Sequence, residues 1–374
     1  MTLYQFFCRI YRRLFLSDEV VVHEISKDAP WALVSYIPFA LTHWYDDKFL
    51  DEHQSRREMF VIDRVLTEAG YNVYNISNSF TKELPDKDFK LVFGLEPAFC
   101  RACDKYPNAV KVYYATGAYV NHQNSMIKKL TDEFNGRYHA NIPYRRTVAE
   151  HQSAYLADNI LQIGSEYTKE TYPKDVRDKI SLIHQSTQAI RTLDKAEYAE
   201  ENEYFFMSSS GNILKGVPQM IECFSKHPEL KLHVVGPLED DVIAALQSVI
   251  TPNIILHGFM NVNSMDYLKI IRKCNFIIYP SGSEGVPGAV LNSMKNGLIP
   301  ICTKWASFDG IDGYGYVMNE VSDKEIENGL QWSLTLSKDD VEARKRKCAG
   351  YVTETYNLDK FACEFRDYVK SIMI

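Results

Sequence analysis

Short apolar runs alternate with helical patterns twice over in this chain, and that alternation restricts its fold more than any other feature. In the first half, "WALVSYIPFAL" (Trp31 to Leu41) reads as a buried strand and Arg57 to Ala69 as a helix. "YNVYNI" (Tyr71 to Ile76), "KLVFGL" (Lys90 to Leu95), "VKVYYAT" (Val110 to Thr116) and "NILQIG" (Asn159 to Gly164) follow as strands. The second half repeats the scheme through "EYFFMSSS", "LKLHVVG", "NIILHG", "NFIIYPS" and "LIPICT", with helical stretches between them. Strands of about five residues alternating with helices of roughly ten or more build βαβ units on a parallel sheet. Two such runs predict an α/β protein of two doubly wound, Rossmann-like domains facing a cleft. The polar stretch Ser186 to Glu203 sets the boundary, giving domains over 1–195 and 196–350. Phe361, Phe365, Tyr368 and Val369 fall at helical spacing, so a C-terminal helical segment is expected over 351–374, able to pack on either domain.

Charge and cysteine usage exclude several roles. The chain carries a net charge of −7, and "ARKRK" (Ala343 to Lys347) is its one basic run, which argues against nucleic acid as a partner. No stretch approaches the roughly 18 apolar residues of a membrane span. The start, "MTLYQFFCRIYRRLFLSDE", places Arg9, Arg12 and Arg13 inside its apolar part, unlike a signal peptide, so residence in the cytoplasm is expected. Leu3, Phe6, Phe7, Ile10 and Leu14 share one side of a helix there. A basic amphipathic helix over 2–16 can dock on its own domain or lie on the inner face of an anionic membrane. The eight cysteines are scattered, and Cys100 and Cys103 form the one close pair. Without a second pair or nearby histidines this is no zinc pattern, and no metal is expected.

Ligands of open α/β sheets bind beyond the carboxyl ends of the strands, so the turns there are the places to look for chemistry. After "YFFMSSS" stand Gly211, Lys215 and Gly216, opening a helix. A lysine at such a turn supplies a point charge for a phosphate, and the helix N-terminus adds backbone amides. After "NFIIYPS" comes Ser283-Glu284-Gly285-Val286-Pro287-Gly288. Gly285 and Gly288 let backbone approach a ligand, and Pro287 suits the first turn of a helix. Glu284 would repel a phosphate, yet it can accept hydrogen bonds from neutral hydroxyls beside one.

"SSSGNILKG", "LHVVGP", "NIILHGF" and "CNFIIYPSGSEGVPGAVLNSMKNGLIPI", in that order, resemble the donor-binding domain of GT-B retaining glycosyltransferases, the family called group 1 or family 4. The resemblance covers about Glu203 to Leu336 and implies a nucleotide-sugar donor in the second domain. It also implies sugar contacts from Glu284, phosphate contacts from Lys215, Gly211 and the Gly285–Gly288 turn with Val286 and Pro287, and no bound metal or other cofactor. Where the family carries a second glutamate toward the ribose, this chain has Asn292. Where an arginine often precedes the lysine by five positions, it has Ser210. The first domain would bind the acceptor, a glycan or lipid-linked sugar of surface-polysaccharide assembly. His122, in the loop after "VKVYYAT", is expected near the donor sugar. His43, Trp44, His53 and Arg56 of the "THWYDDKFLDEHQSRREM" loop are candidate acceptor contacts, and Ser165, Glu166 and Thr168 a hinge-side segment. The two departures leave open a sugar-nucleotide-binding or scaffolding protein without turnover. An epimerase or hydrolase on the same fold is a further alternative.

Overall fold

The computed structural model describes residues 2–193, 198–199, 202–306 and 308–372. The expected boundary between 195 and 196 lies outside them. Seven strands form the first sheet: β1 (Val20–His23), β2 (Trp31–Tyr36), β3 (Asn72–Ser77), β4 (Phe89–Gly94), β5 (Val110–Ala115), β6 (Asn159–Ile163) and β7 (Ile180–Ile183). Their spatial order is β1-β3-β2-β4-β5-β6-β7, parallel except for the antiparallel edge strand β1. The second sheet holds β8 (Glu203–Met207), β9 (Lys231–Val235), β10 (Ile254–Gly258), β11 (Cys274–Tyr279), β12 (Ile299–Thr303) and β13 (Tyr316–Met318). All of its pairs are parallel, in the order β10-β9-β8-β11-β12-β13.

Both orders reverse direction once, between β2 and β4 in the first sheet and between β8 and β11 in the second. At such a switch point the loops leave in opposite directions and open a crevice. The Lys215 turn follows β8 and the Glu284 turn follows β11, so both rim the second crevice. Strand β11 is buried along its whole length, as a central parallel strand covered on both faces must be.

The first strand is shorter than its apolar run. It ends at Tyr36, and Pro38–His43 form a 3-10 helix instead. Pro38 has no N–H for the ladder of a central strand, and its fixed φ suits the first turn of a helix. The "THWYDDKFLDEHQSRREM" stretch is mostly helical, with a turn at Asp47–Leu50 and a helix over Gln54–Glu68.

The chain crosses between domains twice. After the second sheet, helix Lys338–Thr355 places Val341, Cys348 and Val352 in the core. Helix Leu358–Ile372 then returns to the first domain, where Phe365 meets Phe93 edge-on and Arg366 bonds Glu68 at 3.1 Å. The two crossings touch, since the Thr187 amide donates to the Tyr356 carbonyl at 2.9 Å.

Helix Leu3–Phe15 begins at a Thr2–Gln5 capping box. Its apolar side is open: Phe7, Leu14 and Phe15 are 59%, 68% and 69% exposed. No helix among the described residues is long and apolar enough to cross a membrane.

Candidate functional site

Two cavities meet between the domains. The larger, about 500 Å³, runs from Glu58 and Gln185 of the first domain to Ser208, Gly236 and Gly288 of the second. The smaller, about 240 Å³, is walled by Glu96, Gln123 and His151 on one side and Ser283 and Gly285 on the other. Thr116, Arg146, Lys215 and Glu284 line both, so these four side chains stand where the cavities join.

Lys215 is buried there. Its Nζ donates to the Tyr279 hydroxyl at 2.9 Å and to the Glu284 carboxylate, with which it forms an ion pair. Burial pushes the Lys215 ammonium below its usual range, and Glu284 opposes that shift. Glu284 also accepts from Ser281 Oγ at 2.9 Å and Tyr279 at 3.1 Å. Three donors hold this carboxylate at the mouth of β11, which gives it one orientation toward both cavities.

The surrounding glycines do different jobs. Gly216 caps helix Val217–Ser225 in the left-handed region at φ 70°. The Gly211 amide is occupied by Glu239 at 2.9 Å. Gly285 packs closely on the first domain: a Cβ there would fall inside 3.0 Å of the Thr116 carbonyl oxygen. A Cβ at Gly288 would meet nothing within 4 Å, so this residue faces open cavity. Pro287 is the N-cap, one position earlier than expected, and Gly288 begins the helix ending at Lys295. That N-terminus, with Val286, Pro287 and Gly288, lines the larger cavity, and the Val286 carbonyl is held by Gln185 Nε2 at 3.0 Å.

Asn292 lies on the same helix, buried behind the cavity wall. Its Nδ2 donates to Gln188 Oε1 at 2.7 Å, and its Oδ1 accepts from none of the described residues. Gln188 itself lines the larger cavity and stands between Asn292 and that space.

His122 sits in the first turn of helix Val120–Tyr138 rather than in a loop. Its Nε2 donates to the Gly282 carbonyl at 3.1 Å, its ring packs on Trp305 at 4.5 Å, and it lines neither cavity. Burial and Lys304 keep it below its ordinary pKa. Of the four acceptor candidates only His53 lines a cavity. Arg56 is turned back to the Phe49 carbonyl and Glu52, His43 to the Phe39 carbonyl, and Trp44 is 39% exposed. Ser165 and Thr168 cap the short helix that Glu166 begins.

Sequence reasoning missed Glu58, Glu96, Arg146 and His151. Glu58 is fully buried against the Ser186 amide and hydroxyl at 2.6 and 2.8 Å, and burial pushes its carboxyl up to about 7. Glu96 follows β4 at the first switch point and faces His151 at 3.5 Å. Glu96 Oε2 and His151 Nδ1 are buried without partners among the described residues. The signal for Glu96 was available: it stands directly after "KLVFGL" at a strand's carboxyl end.

Comparison with known proteins agrees with this geometry. Residues 190–347 match the family described as "Glycosyl transferases group 1". No curated protein sequence matches the chain. Among solved structures, sucrose-phosphate synthase from Thermosynechococcus elongatus aligns over 92% of this chain and 99% of its own, with a TM-score of 0.61 at 11% identity. Alr3699/HepE from Anabaena aligns over 92% and 100%, with a TM-score of 0.55 at 9% identity. The glycosyltransferase WaaG aligns over 90% and 99%, with a TM-score of 0.54 at 15% identity. At these identities the structures speak for the fold, and the family match speaks for the second domain. The chain therefore has the GT-B fold, and residues 190–347, which include most of its second domain, are similar to the group 1 glycosyltransferases.

Proposed function

We propose that the protein is a retaining glycosyltransferase that moves a sugar from a nucleotide-sugar to a hydroxyl of a glycan or lipid-linked acceptor. The observation that carries this reading is the Lys215–Glu284 pair, held where two cavities meet at a switch point. A nucleotide diphosphate fits the larger cavity, with its phosphates toward Lys215 and the amides that open helix Gly288–Lys295. Those cations and amides, rather than a metal, would receive the departing charge. Glu284, released from Lys215 as phosphate arrives, orients the sugar hydroxyls. The acceptor enters through the smaller cavity, past Glu96 and His151. The bond from the sugar's anomeric carbon to phosphate breaks, and its electron pair leaves with the diphosphate. The acceptor oxygen bonds that carbon from the same face, and its proton passes to the departing phosphate oxygen. Related folds are consistent with such ligands: HepE was crystallised with UDP and glucose, and TarM with UDP and alpha-GlcNAc-glycerol. WaaG takes part in lipopolysaccharide biosynthesis, the kind of setting we infer for this chain.

The test is a thermal-shift panel of UDP-, GDP-, ADP- and CMP-sugars on wild type and Glu284→Ala. A ligand that binds the native state raises Tm by mass action. One nucleotide-sugar is expected to stabilise wild type by several degrees and the variant far less. No shift with any of the four at millimolar ligand would sink the donor site.

The same reading assigns helix Leu3–Phe15 to the membrane that carries a lipid-linked acceptor. Phe7, Leu14 and Phe15 would enter the headgroup boundary, each contributing on the order of 1.5–3 kcal/mol if fully buried. Arg9 and Arg13 would add about 1 kcal/mol apiece against anionic lipid, while Arg12 is held by Asp18 at 2.6 Å. Sedimentation with phosphatidylglycerol vesicles is expected to remove most of the protein from solution. Phosphatidylcholine vesicles, or a Phe7→Ser/Leu14→Ser variant, should leave it in the supernatant. Equal recovery with both lipids would refute the assignment.

A further inference from the structure

Arg146 belongs to the first domain but lies on the second. The segment after helix Val120–Tyr138 crosses the cleft, and Arg145 anchors it through paired bonds to Asp241 at 2.8 and 2.5 Å, with Glu239 at 3.3 Å. Arg146 follows in the left-handed region, φ 64°, a conformation costly for a residue with a side chain. Gln123 Nε2 holds its carbonyl at 2.9 Å. Its guanidinium then reaches the Ser210 carbonyl at 3.3 Å and the Ser210 hydroxyl at 3.5 Å. The second domain makes room for it, because a Cβ at Gly211 would strike the Arg146 Cδ.

The balance of charge at the junction of the cavities singles this residue out. Lys215 and Glu284 neutralise each other. Arg146 lines both cavities beside them and forms no ion pair with the described residues. It is close enough to Lys215 and Tyr279 to act on both electrostatically. Position 210, whose backbone it covers, offers only a hydroxyl. A cationic guanidinium forked for two oxygens suits a phosphate better than it suits a neutral ligand.

We propose that Arg146 binds the sugar-bearing phosphate of the donor from across the cleft, so that the diphosphate site is complete only when the domains are closed. This rests on the donor-site reading and extends it to a residue of the opposite domain. A nucleoside monophosphate, which lacks the phosphate at the cavity junction, gains nothing from Arg146. Discrimination between di- and monophosphate is then the signature of the contact.

Calorimetry on the full chain tests this with UDP, GDP and ADP and their monophosphates, on wild type, Arg146→Ala, Arg146→Lys and Lys215→Ala. Arg146→Ala is expected to weaken the preferred diphosphate roughly 10- to 100-fold, the loss typical of a hydrogen-bonded charge, and to leave its monophosphate within about 3-fold. Arg146→Lys should recover part of the loss, since it returns the charge without the fork. Ser210→Arg in the Arg146→Ala background should also restore diphosphate binding, by placing a guanidinium in the vacated space. Diphosphate affinity unchanged in Arg146→Ala, with wild type and Lys215→Ala clearly different, would overturn the role of Arg146 alone. Equal loss for mono- and diphosphate would overturn it too, by reducing Arg146 to a latch between the domains. If wild type binds none of the six nucleotides, the donor-site reading falls and this inference with it. Arg146 is exposed, so its variants should fold as wild type, and a melting curve verifies that.

Discussion

Lys215→Met is expected to cost about 1–3 kcal/mol of stability and to abolish transfer, because it strands a partly buried carboxylate. Glu284 would keep its bonds from Tyr279 and Ser281 but lose the cation that balances it. Lys215→Met/Glu284→Gln removes both charges together and should regain most of the stability, as replacing a whole buried pair commonly does. Activity should stay absent in the double variant, since neither the proposed phosphate cation nor the proposed carboxylate contact to the sugar is restored. Chemical denaturation of the three proteins reads the first effect, and donor turnover reads the second. A double variant no more stable than Lys215→Met would show that the pair is not the coupled unit the geometry describes.

Gly285→Ala should separate the domains. The added methyl group meets the Thr116 carbonyl inside 3.0 Å and the Ile163 carbonyl at 3.0 Å, and both belong to the first domain's sheet ends. Backbone at strand ends yields little, so the clash is relieved by opening the cleft, at about 1–3 kcal/mol for an overpacked site. Small-angle scattering should report a larger radius of gyration, and turnover should fall by more than tenfold as water enters. Gly288→Ala is the control. Its methyl group points into open cavity, so the scattering should not change. Indistinguishable scattering from wild type and Gly285→Ala would rule out Gly285 as the contact that sets domain closure.

The second domain was legible in the sequence for a physical reason. Its central strands β8, β9, β11 and β12 are buried on both faces, so they stand out as apolar runs, and the rule that ligands sit beyond strand ends pointed to Lys215 and Glu284. Their mutual ion pair was not legible, because Glu284 lies 69 residues from Lys215 and no local pattern links them. Arg146 and His151 were missed on the same ground. They lie in an irregular segment with no periodicity, and only the tertiary fold brings them to the cleft. His122 shows the opposite failure. Its place after a strand was read correctly, but Trp305 and the Gly282 carbonyl draw its ring away from the cavities. Strands β1 and β13 are edge strands of four and three residues, too short to carry a periodic signal.

The paired crossings at Thr187 and Tyr356 bear on what the two halves can do relative to each other. One covalent link would let the second domain swivel about any direction. Two links joined side by side restrict that swivel and favour rotation about the line through them, as in a door with two pins. Closure about that line would bring the Arg146 guanidinium back over Ser210. Removing the last helix, Leu358–Ile372, would delete one pin, freeing the second domain to twist while leaving every residue of the cleft in the chain.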